Sequence, residues 1–375
     1  MKAGSLLYVL PNPTFFTAAG TIGGHVSHAI GFLTAATKTF ARVKVICGPG
    51  GAEILSPLPV AVTTLPHPWR VKMIWNRALI DAVAHEVRVD DTFDYCYVRY
   101  AAGFALCLTA LKKRLGTTRV LLEVNSLGSQ RFPMLESIDR RCLRVADLLI
   151  SVSQVGAEQI RDVLGDERRK VMVMPNGVDI SRFVPQRANS AVHNGPIRIG
   201  YVGVLKPQYG LEDLIAAFRQ VRATTSFCEL IVVGDGPLRK QMEAAAQDVA
   251  GVRYVGSLPF NSVPAVLQGL DILVFTASGR HAQLSPIKLY EYFAAGKAIV
   301  AADIPQVSDL AASGAAMLTY RCGDASDLAS KLSIFVSSAA MRCEFGVKAR
   351  KEASRHSWDQ RMQLLRASLQ DLARS

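Results

Sequence analysis

In the stretch SPIKLYEYFAAGKAIVAAD, Lys288 and Glu291 stand three residues apart in a segment whose ends read as a helix. Ser285 is a good N-cap, Pro286 suits the first helical position, and Gly296 fits the left-handed residue that closes the helix. Lys288 then falls in the first turn, where the helix dipole disfavours a cation. A lysine there makes sense if an anion such as a phosphate sits at the same helix start. Glu291 lies one turn further on the same face. A local Lys–Glu pair is the plainer reading, but lysine before glutamate is the weaker order for such a pair.

A second lysine, Lys206, stands in GYVGVLKPQYGLEDLIAAF, directly after a predicted strand. One lysine on each side of a departing phosphate is sound electrostatic catalysis, although a loop lysine by itself is usually only solvated. Near the N-terminus, GTIGGHV places Gly23 and Gly24 at the start of a predicted helix, where backbone N–H groups can approach an anion closely. The pair also reads as a tight turn, and it is not the GxGxxG of a dinucleotide site. His25 follows at once, either facing the same cleft or capping the helix. Arg99, Glu123 and Asn125 sit at or just beyond the ends of two predicted strands. Acceptor binding and a strand-end ion pair are equal readings for them.

The elements that must position these residues alternate strand and helix through both halves, the pattern of parallel sheets covered by helices. The first half has predicted strands at 6–10, 43–47, 95–98, 120–124, 148–152 and 171–174, with helices at 24–37, 76–89, 103–115 and 155–164. Residues 180–196 carry proline, glycine and asparagine in linker fashion. Predicted strands at 197–202, 230–233, 253–255, 272–275 and 298–301 then alternate with helices at 211–224 and 238–247 and from Pro286 onward. This gives an expected α/β architecture of two domains, 1–190 and 196–356, with a terminal helix over 357–375 packing back on the first. Ligands of such sheets sit outside the carboxyl ends of the strands, so the expected site is the crevice between the domains.

Composition bounds the alternatives. The chain has 375 residues, 50% hydrophobic and 20% charged, enough apolar material for two cores. No apolar run approaches the roughly 20 residues of a membrane-spanning helix, and the start MKAGSLLYVLPNP reads as a strand rather than a leader. Seven cysteines without CxxC spacing suit reduced thiols in a cytoplasmic protein. Asp90-Asp91 reads as an exposed turn, and no Asp-x-Asp metal motif is present, so no divalent ion or other cofactor is expected. The net charge of +12 is uneven, with 23 basic against 15 acidic residues up to Ser190, a surplus of +8. No nucleic-acid-binding module accompanies it. The surplus, with Arg140, Arg141 and Arg144 beside Leu143 and Val145 on one predicted helix, reads as peripheral contact with the inner membrane face. A solvated basic surface is the plainer alternative.

The order VMPNGVD, GYVGVLKPQYG, LIVVGDGPLRKQME, YVGSLP, DILVFTAS and SPIKLYEYFAAGKAIVAAD resembles the family-4 retaining glycosyltransferases of the GT-B fold (glycosyltransferase group 1), densely in the second half and thinly in the first. The resemblance implies two Rossmann-like parallel-sheet domains facing a central cleft. It also implies transfer of a hexose-type sugar from a nucleoside diphosphate sugar to a glycan, lipid-linked or small-molecule acceptor, with retention of configuration. The donor site it implies comprises Gly23, Gly24, Lys206, Gly234, Ser285, Pro286, Ile287, Lys288 and Glu291, with Gly234-Asp235-Gly236 as a structural turn. Glu291 matches the second glutamate of the family's Glu-x7-Glu motif, which holds the ribose. Eight residues earlier the family has its first glutamate, near the sugar, and this chain has Gln283. Catalytic roles then fall to Lys206, Lys288 and Gln283, and acceptor contacts to His25, Arg99, Glu123 and Asn125. Gln283 motivates an alternative, a weakly catalytic sugar-nucleotide-binding subunit. A nicotinamide-dependent oxidoreductase is the rival from another class.

Overall fold

In the computed structural model, which describes residues 3–16, 24–66, 72–89, 93–184, 195–278 and 286–374, the β-branched runs assemble into two parallel sheets. The first sheet contains β1 (Ala3–Val9), β2 (Phe40–Cys47), β3 (Ala61–Thr64), β4 (Tyr95–Arg99), β5 (Arg119–Val124), β6 (Leu148–Ser151) and β7 (Val171–Val173). Their spatial order is β3-β2-β1-β4-β5-β6-β7. The second contains β8 (Ile197–Val202), β9 (Cys228–Val233), β10 (Val252–Gly256), β11 (Ile272–Phe275), β12 (Ala298–Asp303) and β13 (Leu318–Arg321), ordered β10-β9-β8-β11-β12-β13. The strand order reverses direction between β1 and β4 and again between β8 and β11. Ligands of such sheets gather at these switch points.

Strands buried on both faces need continuous apolar runs, and the central ones have them: Leu6 to Val9 and Ile272 to Val274 are fully buried. The sequence reading missed β3 and β13. Both are edge strands, AVTT and LTYR, half exposed and rich in polar residues, so neither carries such a run. A single predicted helix over 103–115 is instead a 3-10 turn, Ala102–Cys107, followed by an α-helix, α4 below.

One face of the first sheet packs against α1 (Gly24–Thr39) and α2 (Gly51–Leu55). The other packs against α3 (Lys72–Val89), α4 (Leu108–Arg114), α5 (Glu136–Val145) and α6 (Gln154–Leu164). The second sheet shares one core with α7 (Leu211–Thr224), α8 (Arg239–Asp248), α9 (Val263–Gln268), α10 (Ile287–Ala295), α11 (Pro305–Ala312), α12 (Ala325–Ser337) and α13 (Ala339–Ala353). After the 3-10 turn Ser354–His356, α14 (Trp358–Arg374) returns to the first sheet. There Trp358, Met362, Leu365 and Leu369 complete the core beneath α1. Part of the expected linker, residues 185–194, lies outside the described residues.

Glycines make the seat for α14. A Cβ on Gly31 would lie 2.0 Å from Trp358 Nε1, and one on Gly177 would lie 2.7 Å from Trp358 Cδ2. The Val178 N–H donates to the His356 carbonyl at 2.9 Å, and the Trp358 N–H returns a bond to the Val178 carbonyl at 3.2 Å. The indole stands edge-on to the His28 ring, with centroids 4.8 Å apart. Deleting so large a buried side chain leaves a cavity, so Trp358→Ala should destabilise the first half by about 3–5 kcal/mol. Chemical denaturation followed by circular dichroism measures this. An unchanged midpoint would mean that α14 does not anchor the fold.

Candidate active site between the two sheets

The carboxyl ends of the two sheets face each other across a cavity of about 870 Å³. Gly24, His25, Ser27, His28, Arg99 and Asn125 line it from the first half; Lys206, Tyr209, Gly234, Pro286, Ile287, Lys288 and Glu291 line it from the second. The starts of α1 and α10 meet across it: a Cβ on Gly24 would lie 3.2 Å from Ile287 Cδ1. Two helix N-termini therefore direct their positive ends into one cleft that already holds Lys206, Lys288 and Arg99. Such an arrangement is built for a ligand with more than one negative charge.

Position within α10 follows from its side chains. Tyr292 clamps the helix to the end of β8, accepting from the Val202 N–H at 3.1 Å and donating to the Val202 carbonyl at 3.3 Å. Gly296, at φ 66°, closes the helix as expected. Pro286, however, occupies the cap position, one residue before the first helical residue, Ile287. One turn before Tyr292, Lys288 donates to the Tyr201 hydroxyl at 2.9 Å, and its ammonium lies over the rings of Tyr209 at 4.2 Å and Tyr201 at 4.5 Å. The rings attract the cation, but burial among them outweighs that and lowers its pKa to about 7, with Glu291 opposing. Glu291 is likewise pushed up to about 7 by burial, against the pull of Arg182, a hydrogen bond with Ser27 and Lys288. Arg182 is itself fixed, donating to the Phe260 carbonyl at 2.9 Å with its guanidinium 3.6 Å above the Phe260 ring. The cleft thus holds an acid and a base that both titrate near neutrality.

The loop carrying Lys206 is held from below. The Leu205 N–H donates to the Asp235 carbonyl at 2.9 Å, and the Leu238 N–H donates to the Leu205 carbonyl at 3.1 Å. Gly234, at φ 141°, lets the β9 loop come so close that a Cβ there would lie 1.8 Å from the Gly203 carbonyl oxygen. Lys206 itself is exposed at the cleft mouth.

On the first-half wall, Arg99, Glu123 and Asn125 form one network around a carboxylate that is 0% exposed. Glu123 accepts from Tyr97 at 2.6 Å, from Asn125 at 3.1 Å and from Arg99 at 3.2 Å, and it meets His28 Nε2 at 3.0 Å. Burial favours the neutral carboxyl, but His28 and Arg99 outweigh it and hold the group well below the usual carboxylate range. With both oxygens taken and no surface, Glu123 is engaged in a strand-end ion pair and does not line the cavity. Arg99 and Asn125 do line the cavity. His25 lines it too, its Nε2 3.1 Å from the Phe15 carbonyl, and burial together with Arg99 and Lys206 depresses its pKa.

Gly23, Gln283 and Ser285 lie outside the described residues, as do Asp90 and Asp91. Among the described residues, no group of three or more His, Cys, Asp or Glu side chains could hold a metal ion. Sequence reasoning missed Ser27, His28, Arg182, Tyr201 and Tyr209. Tyr201 and Tyr209 stood in a motif already singled out; the other three act through tertiary contacts that no spacing reveals. The basic helix also needs correction. Leu143 is buried, Val145 packs against the core, and Arg140 is tied to the Val163 carbonyl and to Glu136, so α5 presents no apolar face to a membrane.

Residues 22–182 match the profile described as Glycosyltransferase Family 4, and residues 196–338 match that of Glycosyl transferases group 1. The chain belongs to the family-4 glycosyltransferases, with the GT-B fold. It is 24% identical to a phosphatidyl-myo-inositol mannosyltransferase of Mycolicibacterium smegmatis over 272 residues, 71% of this chain and 68% of that one. It is 29% identical to a 2-deoxystreptamine glucosyltransferase of Streptomyces kanamyceticus over 155 residues, 38% of this chain and only 40% of that one. Its fold superposes on Anabaena Alr3699/HepE in complex with UDP with a TM-score of 0.73 at 16% identity, covering 99% of this chain and 100% of the other. Nothing in these matches favours the nicotinamide-dependent alternative.

The lowered Lys288 pKa has a measurable consequence. At pH 8 the Lys288 side chain, titrating at about 7, is mostly the neutral amine, and a bound diphosphate would recharge it. Binding of a nucleoside diphosphate at pH 8 should therefore take up close to one proton. Calorimetry in two buffers of different ionisation enthalpy reads this directly. The uptake should vanish in Lys288→Ala; an uptake that persists would assign the proton to another group.

Proposed function

We propose that this family-4 glycosyltransferase moves a hexose-type sugar from a nucleoside diphosphate sugar to an acceptor hydroxyl with retention of configuration. The observation that carries this reading is the convergence of two helix N-termini and of Lys206 and Lys288 on one cleft, with Glu291 one turn beyond Lys288. Diphosphate at the paired helix starts leaves the ribose hydroxyls beside Glu291, an acceptor for two donors at once. The UDP complex of the Anabaena neighbour is in keeping with a nucleotide in such a cleft.

In this mechanism the acceptor hydroxyl attacks the face of the sugar that the nucleotide leaves, and the departing phosphate oxygen takes the hydroxyl proton. No enzymic base is required. The chain's task is to position both substrates and to stabilise the charge that grows on the leaving diphosphate. Lys206, Lys288 and the amides at the start of α1 supply that stabilisation, so the reading assigns no step to a divalent cation. Arg99 and Asn125, on the opposite wall, would meet the acceptor. Gln283, in place of the family's glutamate, would offer the sugar hydrogen bonds without a charge.

Two substitutions test the division of labour. Lys206→Ala removes one charge from the leaving group and should lower kcat by about 10²-fold. Its exposed loop position leaves the fold intact, and wild-type turnover would remove Lys206 from the site. Glu291→Ala should weaken nucleotide binding by about 1.5–3 kcal/mol through loss of charged hydrogen bonds. An unchanged affinity in a UDP titration would return Glu291 to a merely structural part.

A further inference from the structure

A second cavity, of about 410 Å³, opens at the carboxyl edge of the first sheet and shares Arg99 and Asn125 with the first. Its walls are the segments that follow β1, β4 and β5, and those segments are tied to one another. The Trp75 indole donates to the Pro11 carbonyl at 2.7 Å, and the Asn76 amide donates to the Gly103 carbonyl at 2.8 Å. Gly128 sits so close to Ala102 and Leu135 that a Cβ on it would lie 3.1 Å from each side chain. The start of α3, the turn Ala102–Cys107 and the turn Pro133–Leu135 are thus held around one mouth.

On that frame Met73, Ile74, Leu106, Phe132 and Met134 are exposed, Met134 by 83% and Met73 by 78%. Single exposed apolar residues are ordinary, but five on three segments tied together, with Phe132 in the cavity wall itself, form a patch. Arginines flank it: Arg131 lies against the Phe132 ring, and Arg77, 3.8 Å from Asp81, is one turn from Met73 with its side chain well exposed. The first half carries a surplus of +8 and the chain +12, which repels a second copy and attracts an anionic partner. Apolar side chains fringed by arginine suit the boundary between lipid headgroups and acyl chains.

We propose that this rim docks on an anionic lipid surface and that the acceptor is an amphiphile, its polar head entering the second cavity toward Asn125. The docking stands on the rim alone; the occupant of the second cavity rests on the glycosyl-transfer reading above. Transfer would then take place at the bilayer edge, with the amphiphile's tail left among the lipids.

Flotation of the full chain with phosphatidylcholine vesicles, with and without phosphatidylglycerol, tests the docking. Binding is expected only with the anionic lipid, strongest at low salt and lost at high salt. Met134→Asp and Ile74→Asp should each weaken partition by about tenfold, with unchanged melting temperatures. Val347→Asp, an exposed site on α13 in the other half, should leave partition unchanged. The docking is overturned if wild-type protein stays with the buffer at low salt, or if Val347→Asp weakens binding as much. It also falls if the rim variants alter the mass in solution instead, which would make the patch a contact between copies. Titration with UDP, GDP and ADP without vesicles separates the two readings. Nucleotide binding without flotation sinks the docking alone, whereas flotation with none of the three nucleotides bound leaves the docking and removes the amphiphile from the second cavity.

Discussion

The buried carboxylate of Glu123 organises the first-half wall of the cleft. It draws Tyr97 and Arg99 from β4, Asn125 from the loop after β5 and His28 from α1 onto two oxygens without access to water. Through His28 the network continues to Asn176 Oδ1 at 2.5 Å, beside the glycine turn that seats Trp358 of α14. Uncovering one member would leave a buried charge without compensation, which costs about 3–5 kcal/mol. The penalty makes the arrangement all-or-none. Arg99 is fixed well enough to donate to the His25 carbonyl at 3.2 Å while it presents its remaining edge to the cavity.

The opposite wall is made differently, from backbone rather than charge. Three loops after β8, β9 and β10 lie close enough to bond one another: the Gly203 N–H reaches the Val233 carbonyl at 2.9 Å, and the Gly234 N–H reaches the Gly256 carbonyl at 2.8 Å. That stack carries Lys206 at its top and faces α10, whose Tyr292 grips β8 from the side. A lysine floated on a free loop would lose rotamer entropy on binding. Here the loop beneath it is already ordered, and Lys288 is held in an aromatic box before any ligand arrives.

Lys288 and Glu291 show why such a cleft favours a dianion. Burial has moved their pKa values toward each other, to about 7 in each case. Neither charge is well solvated at its buried position. An entering diphosphate supplies the counter-charge that Lys288 lacks, and hydroxyl donors supply what Glu291 lacks, so binding relieves a cost already present in the fold.

The parallel-sheet pattern and some helix starts, those of α1 and α7 among them, were legible in the sequence because they depend on local periodicity and turn chemistry. The central strands announce themselves as unbroken apolar runs, and Gly296 marks the end of α10 through a backbone angle that glycine adopts freely. The edge strands β3 and β13 were not legible, because a half-exposed strand needs no such run. Nor could spacing tell that Glu123 would be sealed from solvent, or that Leu143 would turn inward and leave α5 without an apolar outer face. Those outcomes depend on which element covers which. Residues 148 positions apart, His28 and Asn176, meet only after both halves of the sheet have closed around α1. Local sequence fixes the shape of each element; what each side chain meets, and hence its charge and role, is decided by tertiary packing.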